Sequence, residues 1–147
     1  MAITMKSDYA LRLLLLLSIE GGRLSTSELV KKCRTQIPYD FAQKILSQLA
    51  SSGILKSYKG KFGGYTLAKH PKDITIYDVV RAVDDMKTTI TCFVEYSDEF
   101  FPEICTINEV WEIVMNKFEE SLKSVTLEEL KTSFLKKCEE FERRKSK

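Results

Sequence analysis

A mostly α-helical fold carrying one two-stranded β-hairpin is the class this sequence predicts, and three observations predict it. Helix caps followed by apolar residues at helical spacing mark six separate segments. A single glycine-rich stretch, residues 54–67, has the form of a hairpin. The positive charge of the chain is concentrated around that hairpin and the helices before it.

The first helix is expected from Ser7 and Asp8, a hydroxyl that can cap free amides and an acid that suits the positive end of the helix dipole. Residues 9–20 are too apolar for a surface helix, so most of their circumference should be buried, and Gly21-Gly22 ends them. Ser25-Thr26-Ser27-Glu28 is a capping box for a short second helix reaching to about residue 34. Pro38 suits the first turn of a third helix, because its missing donor has no helical partner there.

In that third helix Phe41, Ala42, Ile45, Leu46 and Leu49 follow a helical period. Asp40, Gln43, Lys44, Ser47, Gln48 and Ser51 are assigned to the opposite face, and Gly53 stops the helix. Two short helices with a tight connection, the second polar outward, form a helix-turn-helix pattern. Residues 54–58 read as a strand, Lys59-Gly60-Lys61-Phe62-Gly63-Gly64 as a basic turn, and Tyr65-Thr66-Leu67 as the returning strand. A ribbon directly after a recognition helix is a wing, so residues 1–86 are expected to form a winged helix-turn-helix.

Thr75-Ile76-Tyr77-Asp78 opens a further helix to about residue 86. Residues 87–105 show no clear period and contain Pro102, which predicts a long loop of the kind that usually serves function. Thr106 to Glu109 opens a long helix with Val110, Trp111, Val114, Phe118 and Leu122 on one stripe. Thr126 to Glu129 opens the last helix, with Leu127, Leu130, Phe134, Cys138 and Phe141 at similar spacing. Residues 106–147 are therefore read as a dimerisation helix and a C-terminal helix.

The composition limits what such a fold can be for. The chain has 147 residues, 44% hydrophobic and 30% charged, which is a globular balance. No apolar run is long enough for a membrane span, and Glu20-Gly21-Gly22-Arg23 does not resemble a leader cleavage site, so a cytoplasmic location is expected. The net charge of +2 conceals eleven Lys or Arg against four Asp or Glu in residues 1–70, and twelve against seventeen in residues 71–147. A basic first half suits a polyanion such as nucleic acid. With one histidine, His70, beside Pro71, there is no nucleophile–base arrangement around which to build an enzyme. Gly60 to Gly64 is too short for a phosphate loop.

Short polar side chains on a helix can reach base edges in a major groove, and Asp40, Gln43, Lys44 and Gln48 are such a set. Lys56, Lys59 and Lys61 can meet phosphates or enter a minor groove. Thr26, Pro38 and Tyr39, at the starts of the two helices, complete the expected DNA-binding set. Taken singly, each of these features is also what a solvated helix face or turn would show.

Three motifs carry a family resemblance: Ser7-Asp8-Tyr9-Ala10-Leu11-Arg12, Lys44-Ile45-Leu46-Ser47-Gln48-Leu49 and Gly63-Gly64-Tyr65-Thr66-Leu67-Ala68. With Asp78-Val79-Val80-Arg81-Ala82-Val83, and later Cys105, Trp111 and Thr126-Leu127-Glu128-Glu129-Leu130, the sequence resembles the Rrf family of bacterial winged-helix transcription regulators. The resemblance implies a homodimer joined through the long helix, a pseudo-palindromic operator in double-stranded DNA, and a repressor switched by an effector. Its cluster-bearing members imply three cysteines before the dimer helix. This chain has Cys92 and Cys105, with Asp98 near the place of the middle one and Asn108 where some relatives have histidine.

Two thiolates do not complete an iron–sulfur cluster, and the resemblance implies Asp8 as a further ligand reaching across the dimer. An acid at a helix start is equally explained by the helix dipole. Three readings of Cys92 and Cys105 stay open: an iron–sulfur cluster with mixed ligands, a redox-sensitive disulfide, or inert packing in a loop that binds a small molecule or a protein. Cys33 and Cys138 are expected in the core. The alternative function is a winged-helix protein-interaction module acting as a metabolic sensor without a cluster.

Overall fold

The computed structural model describes residues 3–84 and 106–147. Its order is α1 (Met5–Glu20), α2 (Thr26–Lys32), α3 (Tyr39–Ser51), β1 (Leu55–Tyr58), β2 (Gly64–Leu67), a single 3-10 turn (Pro71–Asp73), α4 (Ile76–Val83), α5 (Thr106–Lys123) and α6 (Leu127–Lys145). Mostly helical with one antiparallel hairpin, this is the winged-helix architecture expected from the sequence.

Helix α1 is the centre of the packing. Ala10, Leu13 and Leu14 are fully buried, and the helix touches α2, α3, α4, α6 and β2. It begins earlier than Ser7 would suggest. Thr4 is the N-cap, its Oγ1 accepting from the Lys6 amide at 3.1 Å. Ser7 lies inside the first turn, buried, and its hydroxyl donates to the Asp84 carboxylate at the end of α4. Thr4 Oγ1 donates to the same carboxylate at 2.7 Å. Burial alone would raise the Asp84 pKa, but the bonds from Ser7 and Thr4 together hold it below its ordinary value.

The capping boxes at Ser25, Thr75 and Thr126 all form, each with its acid three residues on closing back to the cap amide. Helix α3 buries Ala42, Ile45, Leu46 and Leu49 against α1, α2 and α4. Pro38 takes the cap position itself and Tyr39 begins the helix. The hairpin pairs Leu55 with Leu67 and Tyr58 with Gly64. Its β2 strand is also tied to the start of α2, with Leu24 N donating to Tyr65 O at 3.1 Å and Tyr65 N to Leu24 O at 2.8 Å.

The chain returns from α5 through Val125 and Thr126 alongside Ile74 and Thr75. Ile76 N donates to Val125 O at 2.9 Å and Leu127 N to Ile74 O at 2.8 Å. Leu127 then inserts, fully buried, into the same core as α1 and α3. The far ends of α5 and α6 are different. Ile107, Val110, Trp111 and Val114 on α5, and Phe134 and Phe141 on α6, are 42–57% exposed. Cys138, expected in the core, is exposed on that outer part of α6, because only the first turn of the helix reaches the core; Cys33 is half-buried against it. Among the described residues no helix is long and apolar enough to cross a membrane.

Candidate nucleic-acid interface

The outward face of α3 and the hairpin enclose one side of an open groove of about 420 Å³. Tyr39 and Gln43 line it from α3, Ser25 and Thr26 from the start of α2, and residues 57–61 from the wing. Among the described residues, Lys59 and Lys61 are its only charged lining residues. An anionic strand laid in this groove would meet two ammonium groups, hydroxyls and an amide, with no carboxylate among the described lining residues.

The sequence-predicted residues divide into three groups. Asp40, Lys44, Lys56, Lys59 and Lys61 are exposed, as groups that meet DNA must be, and so are Pro38 and Tyr39. Gln43 is exposed but not free. Its Oε1 accepts from the Thr26 hydroxyl, and its Nε2 donates to Tyr65 Oη at 3.4 Å. Thr26 is 5% exposed, and its hydroxyl holds Gln43 from the floor of the groove. Burial raises the Tyr65 pKa above its ordinary value.

Gln48 departs from the expected face. It is half-buried, and its Oε1 is buried without a hydrogen bond. At 100° per residue it lies about 20° from Phe41 and about 80° from Asp40, at the edge of the polar face next to Lys44. The exposed strip is therefore Asp40, Gln43, Lys44, Ser47 and Ser51.

Three contributors have no local sequence signal. Arg23 stacks its guanidinium 3.8 Å from the Tyr58 ring centroid and donates from Nη1 to Phe62 O at 2.9 Å. It braces the turn of the wing from the loop before α2. Tyr65 is the second, through Gln43. Phe62 is the third, at the tip of the wing and 79% exposed.

The wing can approach Leu24 and Ser25 this closely only because position 64 is glycine, and its own turn is this tight only because position 63 is. A Cβ on Gly64 would stand 2.5 Å from Leu24 O, and one on Gly63 2.6 Å from Tyr58 O, both backbone atoms.

Of the residues assigned to a metal, only Asp8 is among those described. Asp8 is exposed, and its carboxylate accepts from Arg12 Nε at 2.7 Å, one turn away. The Arg12 pKa is raised chiefly by that hydrogen bond. Cys92 and Cys105 lie outside the described residues, as does Asp98. Among the described residues no three His, Cys, Asp or Glu side chains cluster as metal ligands, so these residues alone do not fit a metal centre.

Comparison with known proteins agrees with this geometry. Residues 3–133 match the family described as "Rrf2: Iron-dependent Transcriptional regulator". The HTH-type transcriptional regulator NsrR of Halalkalibacterium halodurans is 30% identical over 136 residues, covering 90% of this chain and 92% of that protein. Among solved structures, CymR, the global cysteine regulator of B. subtilis, superposes with a TM-score of 0.68 at 25% identity, covering 90% of this chain and 98% of that one. IscR of T. potens shares the fold, with a TM-score of 0.67 at 24% identity over 90% of this chain and 88% of that one. These relatives are regulators and not enzymes. A basic groove between an exposed recognition helix and a braced wing, in a chain matched from end to end of its helical core, identifies a DNA-binding transcription regulator of the Rrf2 family.

Proposed function

We propose that this chain is a sequence-specific, cytoplasmic DNA-binding repressor that acts as a homodimer and is switched through residues 87–105. The observation that carries the reading is the groove between α3 and the wing, lined by Lys59 and Lys61. The exposed strip of Asp40, Gln43, Lys44 and Ser47 faces the bases, and the wing lysines anchor the backbone.

The homodimer is supported by α5. Ile107, Val110, Trp111 and Val114 form an apolar strip with each side chain about half exposed, which a second copy of the helix would cover. A two-fold dimer presents two recognition helices to major grooves about 34–36 Å apart, so its operator is a pseudo-palindrome.

Charge reversal tests the interface. Lys59→Glu alters both wings of a dimer and so removes two phosphate contacts. The slope of log K against log salt should become shallower by about 1.8. An unchanged affinity and slope would remove the wing from the interface.

The signal is assigned to the segment that holds Cys92 and Cys105. Iron and sulfide analysis of protein purified without oxygen, beside Cys92→Ala and Cys105→Ala, separates its sources. Iron and sulfide lost in both variants would assign a cluster. Affinity that responds to oxidant without iron would assign thiol chemistry. Affinity unmoved by either substitution or by oxidant would place the signal on a bound ligand.

A further inference from the structure

We propose that Phe62 enters the minor groove as an apolar wedge and bends the DNA that α3 reads. The inference rests on the DNA-binding reading above and adds to it a deformation of the duplex and the residue that causes it.

The first support is the cost of the side chain where it stands. Phe62 is 79% exposed, the most exposed large apolar residue of the described chain, and it sits at a turn that needs no phenylalanine to form. The turn is held by its backbone: Gly63 N donates to Gly60 O at 3.0 Å, and the carbonyl of Phe62 accepts from Arg23 at 2.9 Å. Arg23 is itself stacked on Tyr58. The ring is thus projected from a braced tip while contributing nothing to the brace. An aromatic ring held out in this way gains only when a partner buries it.

The second support is charge. Lys61 Nζ lies 5.8 Å from the ring centroid, and Lys59 belongs to the same turn. An apolar tip with an ammonium group beside it, on a turn that carries a second lysine, suits an anionic slot with an apolar interior better than an apolar protein surface. The minor groove is such a slot, walled by phosphates and floored by base edges, with stacked bases behind.

The third support is topological. In duplex DNA each sugar-phosphate strand separates the major groove from the minor groove. A strand seated in the cleft between α3 and the wing has α3 on its major-groove side. The tip of the wing, on the other side of that strand, then faces the minor groove. Apolar wedges inserted from that side unstack a base step and kink the duplex by about 20–90° toward the major groove. Flexible pyrimidine–purine steps accept this most readily. Each wing of a dimer would make one such kink, outside the bases that α3 touches.

The test uses the full-length protein and a duplex selected by the wild-type protein from a random-sequence library. Dyes at the two ends report the bend by energy transfer, and 2-aminopurine placed at successive steps beneath the wing reports unstacking. The wild type should bring the ends together and brighten 2-aminopurine at one step in each half-site. Phe62→Ala should keep the salt slope, since both lysines remain, but lose at least half of the bend and the 2-aminopurine signal. Phe62→Leu, still an apolar wedge, should retain more of both than the alanine variant. A wild-type complex with straight DNA, or an alanine variant that bends DNA as the wild type does, overturns the wedge and leaves the DNA-binding reading standing. A wild-type protein that selects no duplex would instead overturn that reading.

Discussion

Replacing Gly64 by alanine puts one methyl group where the backbone of another segment already lies. Its Cβ would stand 2.5 Å from Leu24 O, 2.7 Å from Leu24 C and 3.0 Å from Ser25 N, well inside ordinary contact, and none of these atoms is a flexible side-chain end. The φ of Gly64, 147°, is also one that L side chains rarely adopt. Relief requires β2 to retreat from Leu24, and the retreat stretches the paired bonds of 3.1 and 2.8 Å between Leu24 and Tyr65. Overpacking costs about 1–3 kcal/mol, and each strained hydrogen bond about 1 kcal/mol when lost. A total of about 3 kcal/mol is expected, which for a chain of 147 residues lowers Tm by about 10 °C.

Gly53→Ala is the matched control. Gly53 has φ of 79°, but a Cβ there would meet nothing within 4 Å. Only the left-handed backbone is penalised, by about 1 kcal/mol and hence about 3 °C. Melting followed by circular dichroism, with all proteins at one concentration, measures both. Equal losses in the two variants, or a Gly64→Ala Tm within about 3 °C of wild type, would refute the close-approach argument. The Gly64 variant should also bind DNA more weakly, because the wing it displaces carries Lys59 and Lys61.

Four further outcomes follow from the geometry. Asp84 has a depressed pKa in the folded chain, so its contribution to stability is present above the ordinary carboxylate value and lost as pH falls through the folded one. Asp84→Asn should therefore cost about 1–2 kcal/mol in urea titrations at neutral pH, and the difference from wild type should shrink below about pH 4. In the proposed dimer, Val114→Glu should give monomers in sedimentation where the wild type gives dimers, with the fold intact, since Val114 is 47% exposed in the single chain; a wild-type dimer unchanged by the substitution would take the proposed contact off α5. Tyr65→Phe frees one side of the Gln43 amide and should relax base preference at a single operator position, and an identical selected sequence would show that Gln43 reads no base. Cys138 should react with a maleimide in the native protein well before Cys33, and mass mapping of the first labelled peptide decides it.

What the sequence made legible was local. The acids at positions 28, 78 and 129 cap helices whose hydroxyls stand three residues earlier, and nothing distant is needed to recognise them. The glycines of the wing and the apolar period of α3 are equally short-range. The misplacements involve partners far along the chain. Ser7 looks like a cap until Asp84, 77 residues away, takes its hydroxyl. Thr26 looks like a surface contact until Gln43 covers it, and Arg23 carries no signal until the Phe62 carbonyl arrives. Cys138 repeats the spacing of buried residues on a helix whose core contact has already ended at its first turns. Periodicity marks which side of a helix is apolar, but not how far along its length the core extends.

Leu127 enters the middle of the DNA-reading half from the far side of the sequence. Until it arrives, Ile74 and its neighbours have an open flank, and the amides and carbonyls of residues 74–76 wait for Val125 and Leu127. During synthesis the recognition helix and wing leave the ribosome complete in sequence yet short of a core side chain. A version of the protein cut before α5 would inherit the same deficit, losing about 1.5–3 kcal/mol of burial along with the stitched turn. The stability of the recognition helix and wing thus draws on a side chain from α6, 60 residues beyond the end of the wing.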